Sequence, residues 1–150
     1  MTSTTGTTDS IRIAFVCVRN AGRSQMAAAF AERERADRDL EEDVEILTGG
    51  TRPADEVHPE VVDAMAEEGM DLSDRTPREI TDDELRTFDY VATMGCSTLD
   101  LGAPDGVDVR DWALADPGGK DLERVREIRN EVEALVAATF DDVEDDLRSD

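Results

Sequence analysis

The alternation of short β-rich runs with helical segments limits what this chain can fold into more than any other feature. Ile11-Arg12-Ile13-Ala14-Phe15-Val16 has the length and composition of one buried strand. A loop of residues 17–23 follows. Ser24, a residue suited to a helix cap, then precedes Gln25-Met26-Ala27-Ala28-Ala29-Phe30-Ala31-Glu32, which is rich in strong helix formers. Val44-Glu45-Ile46-Leu47 reads as a second strand ended by Gly49-Gly50. His58-Pro59 opens a helix with Val61, Val62, Met65 and Ala66 at helical spacing, stopped by Gly69. Thr81-Asp82-Asp83-Glu84 has the form of a capping box before a short helix. Tyr90-Val91-Ala92-Thr93-Met94 is a third strand and Val107-Asp108-Val109 a short fourth. Residues 122–140 form a final amphipathic helix with Val125, Ile128, Val132, Leu135 and Val136 on one face. The order β-α-β-α-α-β-β-α predicts an α/β fold, a parallel sheet with helices on both faces. Ligands of such sheets sit beyond the carboxyl ends of the strands. The Cys17 loop, the Gly49 loop, the Met94-Gly95-Cys96 loop and the loop after Val109 all fall at that end.

The 150 residues fit one domain, and 39% hydrophobic residues support a packed core. Residues 1–10 are polar and read as a disordered leader with no apolar signal region. Residues 11–140 make the domain, and residues 141–150 are an acidic tail expected to fray. Thirty-eight acidic residues against sixteen basic ones give a net charge of −22. That balance argues against a broad electrostatic grip on nucleic acid or an anionic membrane. With fifteen Arg and one Lys, it fits the cytoplasm of a salt-adapted organism, such as a halophilic archaeon, where ions screen self-repulsion. No run approaches the ~18 apolar residues of a membrane span. Two cysteines make no secreted disulfide framework, so a reducing cytoplasm is the expected compartment.

Cys17-Val18-Arg19-Asn20-Ala21-Gly22-Arg23-Ser24 is a Cys-x5-Arg-Ser pattern between a strand and a helix. In that context successive backbone N–H groups of residues 18–24 can close on one tetrahedral oxyanion. Ala21 and Gly22 permit close approach, and the planar fork of Arg23 binds two oxygens. The same inward donors favour a thiolate at Cys17, and Ser24 can hydrogen-bond its sulfur and help expel it later. A nucleophile so placed attacks a bound oxyanion covalently. Read blandly, Cys17 would be a small buried residue at a strand end. Asp116, in Asp116-Pro117-Gly118-Gly119, sits in a turn and is a candidate acid for a leaving oxygen. His58 is the only histidine and suits a helix start better than catalysis. Two Cys and one His are too widely spaced for a metal site.

The chain resembles the low-molecular-weight protein tyrosine phosphatase superfamily, and within it the thioredoxin-type arsenate reductase branch. The residues that carry the resemblance are Phe15-Val16-Cys17-Val18, Asn20-Ala21-Gly22-Arg23-Ser24-Gln25-Met26-Ala27, Gly50-Thr51, Val57-His58-Pro59, Met65, Glu68-Gly69, Thr93-Met94-Gly95-Cys96, Asp111-Trp112 and Asp116-Pro117. The resemblance implies a flavodoxin-like three-layer sandwich on a four-stranded parallel sheet, with nucleophile Cys17, oxyanion ligand Arg23 and general acid Asp116. The chain departs from the branch at four places. Ala103-Pro104 stands where thioredoxin-coupled members carry a third cysteine before a proline. Ala28 occupies the position of a Glu that helps hold potassium, and Arg19 that of a loop His. Gly118-Gly119 follow Asp116-Pro117 where phosphatases have a Tyr.

The resulting expectation is an arsenate reductase with no bound cofactor. Cys17 attacks arsenate, and a second thiol, either Cys96 or an external small-thiol or redoxin donor, releases arsenite. The alternative is a phosphatase acting on phosphotyrosine or an aryl phosphate through a Cys17 phosphocysteine. A non-catalytic oxyanion-binding module is a third reading, which an intact Cys17, Arg23 and Asp116 disfavours.

Overall fold

The computed structural model describes residues 10–50, 52–85, 87–94, 108–112, 114, 115, 117 and 119–148. Four strands, β1 (Ile11–Cys17), β2 (Val44–Gly50), β3 (Tyr90–Met94) and β4 (Asp108–Trp112), form one parallel sheet in the order β2-β1-β3-β4. The helices are α1 (Arg23–Asp37), α2 (Pro59–Ala66), α3 (Asp82–Leu85) and α4 (Leu122–Arg148). The result is the expected flavodoxin-like α/β sandwich. Residues 13–17 of β1 and all of β3 are buried, so both faces of the central strands are covered. That burial is why these strands read as continuous apolar runs. α1 packs on β1 and β2, and α4 packs on α1 and α2.

Register decides where the site falls. Cys17 pairs with Gly50 on one side and Met94 on the other, and Met94 pairs with Trp112. The carboxyl ends of all four strands therefore finish in one row. β2 ends on Gly49 and Gly50 as read, and both belong to the strand because it stays paired with β1 to Cys17. A Cβ on Gly50 would lie 2.5 Å from the Val18 carbonyl oxygen, so only glycine lets the strand end pass under the loop. β4 reaches Trp112, three residues beyond the short strand predicted from sequence. It is an edge strand whose residues are exposed or half-buried up to Trp112, so no apolar run marks it.

The expected fraying beyond residue 140 is corrected. α4 continues to Arg148, because Val143 is fully buried and extends the stripe of Val125, Ile128, Val132, Val136 and Phe140. Its last turns are tied to the rest of the fold. Arg110 pairs with Asp142 at 2.8 Å, Arg38 pairs with Glu144 at 2.6 Å, and the Tyr90 hydroxyl donates to Asp146. At the other end, Asp121 accepts the Arg124 N–H at 2.9 Å, a side-chain cap. The capping box before α3 forms as read: Thr81 Oγ1 accepts the Glu84 N–H at 3.2 Å, and Glu84 accepts the Thr81 N–H at 3.1 Å. The leader residues 1–9 lie outside the described residues.

Candidate active site

The loop from Cys17 to Ser24 is held from outside by its own carbonyls. Val18 O accepts the Arg52 N–H at 2.8 Å, Arg19 O that of Ala54 at 2.9 Å, and Ala21 O that of His58 at 2.9 Å. Gly22 O takes the Met26 N–H at 3.0 Å, the first turn of α1. In a planar trans peptide the next N–H points opposite to the carbonyl. The N–H groups of Arg19, Asn20, Gly22 and Arg23 therefore face the inside of the turn. The Asn20 N–H is already there, donating to Cys17 Sγ at 3.1 Å.

Asn20 is the keystone of the loop. It is fully buried with φ at +53°, a left-handed conformation that asparagine tolerates better than most residues. Its Oδ1 accepts the Arg78 backbone N–H at 3.0 Å and Gln25 Nε2 at 3.1 Å. A backbone N–H can only donate, so the orientation of the amide is fixed. Nδ2 then donates to Ser24 Oγ at 2.7 Å and to Thr48 Oγ1 at 2.9 Å, and Thr48 passes its own proton to Phe15 O at 2.9 Å. Ser24 Oγ, which accepts from Asn20, lies 2.9 Å from Cys17 Sγ, and either atom can donate across that contact; to a thiolate, Ser24 is the donor. Cys17, 2% exposed, thus receives the Asn20 N–H and shares a second hydrogen bond with Ser24.

Ser24 is not the cap expected of it. Gly22 holds the N-cap position, without a side-chain cap bond, and Ser24 lies inside the first turn of α1 with its hydroxyl turned to the sulfur. His58 caps α2 by position only, with no side-chain cap bond. The Arg23 guanidinium donates through Nη1 to Leu114 O at 3.0 Å, while its Nε is buried without a partner. A Cβ on Gly22 would lie 2.6 Å from Pro117 Cγ, so Pro117 rests directly on the Cys17–Ser24 loop. Thr48, Gln25 and Arg78 hold the loop's geometry and were not singled out for it; Gln25 entered only through the Ser24-Gln25-Met26 match. No local pattern marks Thr48 and Arg78, since their partnership with Asn20 arises only when β2 and the chain at Arg78 fold against β1, whereas Gln25 lies five residues from Asn20. Cys96 and Asp116, with Thr51, Ala103, Pro104 and Gly118, lie outside the described residues. Among the described residues no group of three or more His, Cys, Asp or Glu forms a metal-binding cluster.

A cysteine at the carboxyl edge of a parallel sheet, inside a turn of inward N–H groups that ends on a half-buried arginine, is the geometry of an oxyanion-handling enzyme class. The chain belongs to the low molecular weight phosphotyrosine protein phosphatase family, which it matches over residues 12–149. It is 64% identical over 135 residues to a Halobacterium salinarum protein named "Putative arsenate reductase", covering 90% of this chain and 94% of that one. It is also similar to the thioredoxin-dependent arsenate reductase of Corynebacterium glutamicum, at 33% identity and a TM-score of 0.74. That alignment covers 90% of this chain but only 62% of the Corynebacterium protein. A structure of an arsenate reductase in the phosphate binding state is 28% identical with a TM-score of 0.70, over 86% of this chain and 95% of that one.

Proposed function

We propose that the chain reduces arsenate to arsenite with electrons from external thiols. The observation that carries this reading is the pair at the turn: a sulfur hydrogen-bonded by the Asn20 N–H and by Ser24, and a buried Arg23 Nε with no partner. A buried orphan donor costs about 1–3 kcal/mol unless something accepts from it. A tetrahedral oxyanion in the turn would accept from Nε and from the inward N–H groups together, and would lie against Cys17 Sγ. The arsenate relatives and the phosphate-bound relative support an oxyanion of this shape.

In the reaction, Cys17 thiolate attacks arsenic and one oxygen leaves as water. Asp116 is the proposed acid for that oxygen, supported by the seating of its neighbour Pro117 against Gly22. A thiolate then attacks Cys17 Sγ. The S–As bond breaks with both electrons moving to arsenic, which departs as arsenite, and Cys17 is left in a disulfide. Ser24 donates to the Cys17 sulfur when it departs as thiolate in the later cleavage of that disulfide. Cys96 or an external thiol makes the attack, and external thiol resets the enzyme. The same Cys17, Arg23 and Asp116 would hydrolyse an aryl phosphate through a phosphocysteine, and the family to which the chain belongs favours this as the second reading. Among the described residues no helix is long and apolar enough to cross a membrane. Dependence on free thiols fits the reducing cytoplasm we propose as its location. Kinetics with arsenate and a panel of thiols, run beside p-nitrophenyl phosphate hydrolysis, test the choice. Arsenite formation supports the reductase; aryl phosphate turnover without any arsenite transfers the proposal to the phosphatase.

A further inference from the structure

In a chain of net charge −22, an arginine without a partner is unusual. Arg12, Arg33, Arg38, Arg75, Arg78, Arg110, Arg124, Arg126 and Arg129 are in ion pairs, and Arg23 and Arg35 donate to backbone carbonyls. Among the described arginine side chains, only Arg19 and Arg52 have no hydrogen bond or ion pair. Both are exposed, and both stand at the mouth of the oxyanion loop. Arg19 is within the loop, and the Arg52 N–H bonds the carbonyl of Val18 at 2.8 Å. Beside them opens a cavity of about 280 Å³ lined by Arg19, Ala54, Asp55, Glu56, His58 and Pro59. One guanidinium and two carboxylates share this space, yet neither carboxylate pairs with Arg19.

We propose that this cavity docks the amino-acid end of a low-molecular-weight thiol, with the carboxylate on Arg19 and the ammonium on Asp55 and Glu56, so that its sulfur reaches Cys17. The inference rests on the reductase reading above. Cys17 and Cys96 are the only cysteines, so even a relay through Cys96 needs outside thiol to close the cycle. The mixed charge of the cavity selects among thiols. A purely anionic thiol meets Asp55 and Glu56 and the net negative field of the protein. A neutral thiol gains nothing from any of the three charges. A zwitterion satisfies all of them, and a cysteine-sized molecule fits the volume. The balance is closed by two equivalents. The first thiolate attacks Cys17 Sγ of the arsenic adduct, leaving a mixed disulfide as arsenic takes both bond electrons. The second thiolate attacks the thiol-derived sulfur, giving the free disulfide and restoring Cys17 thiolate.

The test compares ratios within each protein, so that a general loss of reactivity cancels. Arsenite formation is measured with L-cysteine and with 2-mercaptoethanol. Independently of arsenate, thiolation of Cys17 by L-cystine and by bis(2-hydroxyethyl) disulfide is followed by peptide mass spectrometry. The variants are Arg19→Ala/Arg52→Ala and Asp55→Asn/Glu56→Gln. Both amino-acid-to-neutral ratios are expected to fall about threefold to fivefold in each variant, the size exposed charge contacts give. Ratios that ignore both variants overturn the docking site even if arsenite forms. A thiolation ratio that falls while no thiol yields arsenite leaves the docking site standing and removes the reductase.

Discussion

The networks around Asn20 and around Glu67 are both built from polar side chains, but of different chemistry. Asn20 is fully buried and neutral, and each of its polar atoms has a partner fixed in direction. Glu67 is exposed and ionic, bridging Arg126 at 2.6 Å and Arg129 at 2.8 Å, and so clamping α2 onto α4. Arg129, itself buried, also donates to Ala64 O at 2.9 Å. In the buried network a lost partner leaves a donor or acceptor with no water to turn to. In the exposed one, water and salt stand ready to replace each partner. The first sets the position of Cys17 Sγ, the proposed nucleophile, whereas the second sets how firmly two helices stay together.

The largest expected effect follows from breaking the buried network. Asn20→Ala strands the Arg78 N–H, the Gln25 amide, Ser24 and Thr48, and is expected to cost about 2–4 kcal/mol in urea unfolding. The displaced Cys17 should lower turnover by ~100-fold, as a misplacement of order 1 Å does. Retention of wild-type turnover would show that Asn20 does not hold the loop. Ser24→Ala is narrower. It removes one hydrogen bond to sulfur, and steps in which Cys17 leaves should slow roughly tenfold to hundredfold, since bonds to charged groups are worth about 1.5–3 kcal/mol. Its unfolding midpoint should move much less than that of Asn20→Ala.

The charged surface responds to conditions instead. With −22 net charge, the melting temperature is expected to rise as KCl goes from dilute to molar, because screening relieves self-repulsion. A flat or falling melting curve would remove the salt-adapted reading. The smallest effect belongs to Glu67. Hydrogen bonds from Arg126 and then Arg129 hold its carboxyl down at about 2. A depressed native value means the clamp stabilises above the ordinary carboxylate range of about 4.3. That stability is lost as pH falls toward 2. The melting-temperature gap between wild type and Glu67→Gln should therefore be present at neutral pH and close over this acid range. A gap independent of pH would mean the pair acts through packing alone.

Legibility in the sequence followed the same division. The element order, the parallel sheet and the Cys-x5-Arg-Ser loop could be read because apolar runs and local spacing carry them. The partners of Asn20 could not, since Thr48 and Arg78 lie 28 and 58 residues away and meet it only through strand register. Ser24 was misread as a cap because a serine before an alanine-rich helix looks the same whether its hydroxyl turns to the backbone or to a sulfur. The end of α4 was missed for a related reason. Residues 141–148 are mostly acidic, and their two apolar residues, Val143 and Leu147, gain meaning only when Arg38, Tyr90 and Arg110 are seen to reach Glu144, Asp146 and Asp142.

The central claim is that the buried network presents Cys17 to an arsenate held by the loop. A single-turnover experiment tests it most directly: reduced protein is mixed with stoichiometric arsenate and one equivalent of L-cysteine, then quenched for arsenite and for peptide mass spectrometry. The expected result is one equivalent of arsenite in step with a disulfide on Cys17, and neither product from Cys17→Ser. Arsenite appearing in the Cys17→Ser protein, or aryl phosphate hydrolysis by a wild type that yields no arsenite, would contradict the claim.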